Sequence, residues 1–117
     1  MLKTFKMETK IQKTLNQWFP EAFANAKKTV FNSDYETLQQ FAEYTLKLIS
    51  ENRENKKEPF KIINLIYANG SLHDKNAIEN EFFTKLSKIE TPATLNEHLN
   101  LMPKEIRTIY IKTIIEN

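Results

Sequence analysis

Residues 59–86 read PFKIINLIYANGSLHDKNAIENEFFTKL, and the fold follows from how this stretch is divided. In its first half Phe60, Ile62, Ile63, Leu65, Ile66 and Tyr67 leave only Lys61 and Asn64 as polar interruptions. A short helix with so little polar surface has no solvent face, so residues 60–69 are expected at the centre of the molecule. Pro59 suits a helix start, and Gly70 suits the left-handed position just past a helix end. Ser71 and Asp74 have the spacing of a capping box. The helix they open is expected to run to about Lys88, with Leu72, Ile78, Phe82, Phe83, Leu86 and Ile89 facing inward. Glu79 falls inside that apolar arc.

Upstream, Phe5, Met7, Ile11, Leu15 and Trp18 share a stripe of helical spacing, which predicts a first helix over 2–18. Lys3, Lys6, Lys10 and Lys13 share its opposite face. Phe19-Pro20 ends it, because the residue before proline avoids the helical region. A short helix over 21–28 should follow. Ser33 and Glu36 form a second capping box, with Val30 and Phe31 near staple distance. The helix behind them should reach about Arg53 and bury Tyr35, Leu38, Phe41, Ala42, Thr45, Leu48 and Ile49. Residues 51–58, ENRENKKE, read as a solvated linker.

Downstream, Thr91-Pro92 opens a short helix with Leu95 and Leu99 buried. Met102-Pro103 opens the last one, with Ile106, Ile109, Tyr110, Thr113 and Ile114 inward. Ile111 and Ile115 widen its apolar arc, which suits packing against two neighbours or a self-association patch. The sum is an all-α single domain spanning 1–117. About six helices are arranged as antiparallel hairpins around the central apolar helix 60–69.

Composition agrees. The 117 residues include one Gly, four Pro and no Cys, with 40% hydrophobic and 27% charged residues. So few turn formers argue against a strand-rich fold. The lack of Cys excludes disulfides and thiol chemistry and fits a reducing, cytoplasmic setting. No apolar run is long enough to span a bilayer, and the first ten residues lack a signal-peptide core. The net charge of +2 does not point to nucleic acid by itself.

Chemistry finds little purchase. His73 and His98 are far apart and on or near polar faces, with no second His at ligand spacing, so a metal site is not expected. There is no phosphate loop or nucleophile elbow, and Ser33 and Ser71 are used as caps. No catalytic residue and no cofactor is expected, and the chain does not read as an enzyme. A carboxylate in an apolar arc must be paired or hydrogen bonded. Glu79 is therefore expected to pair with Arg107, which lies in the arc of the last helix, or with the hydroxyl of Tyr67 or Tyr110.

Phe19-Pro20, the run Phe60–Ile66, Gly70, the run Lys75–Phe82 and the closing segment Leu99–Tyr110 together resemble a family of small helical bacterial domains. The likeness spans about Trp18 to Glu116 and is most specific at Asn76–Asn80. The family is largely uncharacterised, and some members act as immunity proteins in toxin–immunity systems. The resemblance implies an all-helical fold and a protein partner, and no catalytic residues. The expected function is therefore a non-enzymatic interaction module, of immunity type. Its partner surface would lie at Asp74, Asn76, Asn80 and Glu81, where acidic groups including Glu79 and Glu90 would suit a basic partner. The alternative is nucleic-acid binding by Lys3, Lys6, Lys10 and Lys13 with Lys27 and Lys28. The sequence leaves the oligomeric state open.

Overall fold

A helix begins where its first free N–H groups find acceptors, and this chain supplies them in one recurring way. Thr9, Ser33, Ser71 and Thr91 each accept from the backbone N–H three residues on. The side chains of Gln12, Glu36, Asp74 and Thr94 return the bond. The structure, a computed structural model, describes residues 8–24 and 33–116. Among them the helices are α1 (Lys10–Trp18), α2 (Asp34–Ser50), α3 (Glu58–Asn69), α4 (72–87), α5 (Pro92–Leu101) and α6 (Lys104–Glu116). A 3₁₀ turn, Pro20–Ala22, follows α1, and no strand occurs among the described residues. The fold is an all-α single domain.

α4 is one helical run of three segments. Leu72–Ala77 and Thr84–Ser87 are α-helical, and Ile78–Phe83 between them is a π-helix. The Thr84 hydroxyl donates to the Glu79 carbonyl five residues back, within the widened turn. In a π turn, residue i+5 returns nearly over residue i. Ile78, Phe82 and Phe83 can therefore all be fully buried on one helix. This segment packs against α2 and α6 and lies at the heart of the core. Phe82 meets Phe41 and Phe60, and Phe83 meets Tyr110. Each such side chain contributes ~1.5–3 kcal/mol by leaving water.

α3 buries Phe60, Ile62, Ile63 and Ile66 as expected, but Lys61, Leu65 and Ala68 form an exposed edge. Gly70 is not left-handed: its φ is −91° and its ψ 168°, which any residue can adopt. What needs glycine is room. A Cβ there would lie 2.6 Å from the Ile66 carbonyl oxygen and 2.7 Å from the Asp74 Cβ.

Several expected faces are corrected. The first helix cannot run through from 2, because Thr9 is extended and α1 begins at Lys10. Trp18 is exposed, and Phe19 takes its place in the core against Phe41 and Tyr44. α2 stops at Ser50, and Asn52 turns the chain with a φ of 53°. Tyr35 is exposed at the start of α2, as are Leu72 (74%) and Ile89 (52%) at the two ends of the α4 region. The wide arc of α6 is not covered: Ile106, Tyr110 and Thr113 are buried, whereas Ile111 and Ile115 (77%) are exposed. Lys3, Phe5, Lys6, Met7, Lys27, Lys28, Val30 and Phe31 lie outside the described residues. So does the second half, residues 25–28, of the short helix expected over 21–28.

Candidate binding site

His98 follows the Leu95 position by three residues and precedes Leu101 by three, so α5 turns it inward with them. It is 2% exposed, against the expectation of a polar face. The chain makes this possible by supplying Glu90 just before α5. The Nδ1 of His98 is 2.7 Å from Glu90 Oε2. The same oxygen accepts from the Tyr110 hydroxyl on α6, and Glu90 Oε1 accepts from the Thr94 hydroxyl at 2.7 Å. A carboxylate only accepts, so Nδ1 carries the hydrogen of this bond. Burial first, then the bond to Glu90 and its charge, pushes the Tyr110 phenol far above its ordinary range.

The Nε2 edge of His98 has no hydrogen-bond partner among the described residues. Yet among the described residues no side-chain nitrogen or oxygen sealed from solvent lacks a partner. His98 is also among the residues that line a groove. That groove, of about 610 Å³, runs between α2 and α5. It is comparable to ligand pockets of roughly 300–1,000 Å³. Leu46, Ile49 and Ile89 give it aliphatic walls, and Glu43, Lys47, Thr94 and Glu97 give it polar ones. Lys85 holds Glu43 at 2.8 Å. The Thr94 hydrogen goes to Glu90, and the Ser50 hydroxyl at the rim donates to the Lys47 carbonyl. Neither hydroxyl is poised as a nucleophile for His98.

The residues singled out in the sequence are dispersed. Glu79 is half-buried and accepts from the Tyr67 hydroxyl, one of the three expected donors. Burial, then Glu79, pushes Tyr67 up to about 12. The Glu79–Arg107 pair is corrected: Arg107 is exposed and donates to the Met102 carbonyl at 3.1 Å. Asp74 is buried in its cap and is not a partner surface. Glu90 is likewise withdrawn against His98, Tyr110 and Thr94. Asn76 and Asn80 are exposed, and Glu81 accepts from Gln39 at 2.6 Å. Lys13 is exposed, and Lys10 donates to the Asn69 carbonyl at 3.0 Å, at the C-terminus of α3.

One further cluster was not expected. Donor atoms of Asp34, His73 and Asp74 lie within 4.8 Å of one another, a carboxylate–imidazole set that divalent ions use. Its members are already bonded. Asp34 accepts from Thr9 and faces His73 Nε2 at 3.0 Å, and Asp74 accepts from the Ser71 N–H. The cluster acts as a joint tying α1, α2 and α4 together.

Fold and site define a small all-α domain with a polar-backed groove and a buried Tyr–Glu–His cluster behind it. Residues 13–116 match a family model described as a domain of unknown function (DUF7674), and the chain belongs to that family. No curated protein and no solved structure matches it.

Proposed function

We propose that the domain is a non-enzymatic interaction module that grips a partner protein in the α2/α5 groove. The observation that carries this reading is the groove itself: aliphatic walls including a half-exposed Ile89, and polar rims. Exposed aliphatic surface edged by charge suits protein contact better than turnover of a small molecule. Family resemblance favours the immunity form of this reading, in which the partner is a toxin neutralised inside the bacterial cytoplasm.

Affinity capture from the native host, run in parallel with wild type and Ile89→Asp, tests it. One protein should be enriched by wild type and lost with the variant. No enrichment, or equal enrichment by both, refutes it. A toxin gene beside this one, with toxicity suppressed on co-expression, supports the immunity form. The alternative, nucleic-acid binding by the N-terminal lysines, is weakened because Lys10 is spent on α3. A duplex gel shift that is salt-sensitive and lost on replacing Lys10 and Lys13 would restore it.

A further inference from the structure

We infer that Asp34, His73 and Asp74 form a binding site for a divalent transition-metal ion, zinc by ligand type, at the joint of α1, α2 and α4. One side-chain atom of each lies within 4.8 Å of the other two. Zinc holds nitrogen and oxygen ligands at ~2.0–2.2 Å, so its ligand atoms stand roughly 3.4 Å apart in a tetrahedron. Asp34 Oδ2 and His73 Nε2 are already 3.0 Å apart. Asp74 has to close by no more than about 1.5 Å to complete the set. Acidic groups gather on many surfaces without an ion, but these two are not on the surface: Asp34 is 7% and Asp74 8% exposed. Two buried carboxylates side by side need compensating charge. Among the described residues neither has a lysine or arginine partner, and His73 is the one basic group bonded to them. Neighbouring cations are engaged elsewhere. Lys10 donates to the Asn69 carbonyl, and Lys75 lies over the Tyr67 ring, 5.7 Å from its centre. The starts of α2 and α4 supply only about half a unit of positive charge each.

The carboxylates are also only half used. Asp34 gives Oδ1 to the Thr9 hydroxyl, and Asp74 gives Oδ2 to the Ser71 N–H. The second oxygen of Asp74 accepts no hydrogen bond from a described residue. Tyr35 packs on the imidazole of His73, with ring centres 6.0 Å apart, and steadies it. The His73 side chain is 54% exposed and gives an ion its way in. As a ligand the ring offers its Nε2 lone pair and keeps its hydrogen on Nδ1. Two carboxylates and a neutral imidazole cancel the charge of a divalent ion and leave one tetrahedral position to water. The imidazole favours zinc over magnesium or calcium, which prefer oxygen alone. Bound there, the ion clamps α4 to α2 and, through Thr9, to α1.

The probe is zinc chloride, titrated into the intact ¹⁵N-labelled chain at neutral pH and followed by calorimetry and NMR, with magnesium chloride as the control. Zinc should bind saturably, one ion per chain, and shift the imidazole nitrogens of His73 while leaving those of the buried His98 in place. With free zinc about a hundredfold above its Kd, the midpoint of thermal unfolding should rise by roughly 10 °C. Magnesium at the same concentration should raise it far less. His73→Ala removes a ligand at an exposed position and should weaken zinc binding by about tenfold or more, since even the loss of a ligand's supporting bond costs that much. Asp34→Asn keeps an acceptor for Thr9, removes a charge, and should weaken it as well. Should that variant fail to fold, His73→Ala decides. No saturable binding, an unmoved His73 imidazole, equal stabilisation by magnesium, or unchanged affinity in His73→Ala overturns the inference.

Discussion

Replacing Gly70 by Ala should destabilise the domain by about 1–2 kcal/mol, through crowding alone. The backbone at φ −91°, ψ 168° is open to any residue, so no dihedral strain arises. The new methyl would sit 2.6 Å from the Ile66 carbonyl oxygen and 2.7 Å from the Asp74 Cβ, both far inside van der Waals contact. Neither can yield cheaply. The first is helix backbone, and the second belongs to a buried capping residue whose carboxylate accepts from Ser71. Overpacking of this kind costs ~1–3 kcal/mol. Losing glycine's freedom in the unfolded chain returns ~0.4–1 kcal/mol. Urea unfolding measures the difference, and the midpoint of thermal unfolding should fall by about 4–8 °C. Gly70→Asn separates this account from the usual one for a glycine at a helix end. A left-handed site tolerates Asn better than Ala, whereas a crowded one tolerates it no better. An Ala variant as stable as wild type, or an Asn variant clearly more stable than Ala, would refute the steric reasoning.

Three other outcomes are expected. Tyr110→Phe removes a bond to the Glu90 carboxylate without opening a cavity, and should cost ~1.5–3 kcal/mol in urea unfolding. Tyr44 and Tyr67 are both pushed up to about 12, chiefly by burial and then by Glu21 and Glu79, and Tyr110 higher still. Folded values above the unfolded value of about 10 mean that their stabilisation is complete below that pH and fades as pH climbs toward 12. The tyrosinate absorbance of these three should rise late and together with loss of helicity. Ionisation of all three by pH 11, with the helices intact, would contradict this. Lys10→Ala should cost ~0.3–1 kcal/mol, less at high salt, because its ammonium sits on the Asn69 carbonyl at the end of α3.

What could be read in advance was local. Ser33 and Ser71 announced their helices because a capping box lies within four residues and needs nothing from elsewhere. The inner face of α6 was also legible, since Ile106, Tyr110 and Thr113 keep a regular period. Periodicity misled where a stronger local signal cut across it. The lysine and apolar stripes of the first residues hid the cap at Thr9–Gln12, so α1 was drawn too long. On α4 a uniform 3.6-residue wheel put Leu72 and Ile89 inside, because nothing in the sequence marks the widened turn that resets the phase between them. The candidate site was the least legible part. Its helical spacing to Leu101 could have placed His98 indoors, but the partner that makes burial tolerable, Glu90, lies outside any helix. Tyr110, which completes the arrangement, is twenty residues further on.

The π turn of α4 also bears on how relatives of this chain should be aligned. An i→i+5 turn holds one residue more than an α turn. A relative whose corresponding helix is α throughout would therefore have one position fewer between Ala77 and Thr84. Aligned without a gap, its residues beyond that point would be assigned ~100° away from their true neighbours. Equivalents of Leu86 would then be read as surface, and equivalents of Lys85 or Ser87 as interior. A single-position gap within 78–83, not at the helix ends, is where such alignments should be allowed to slip.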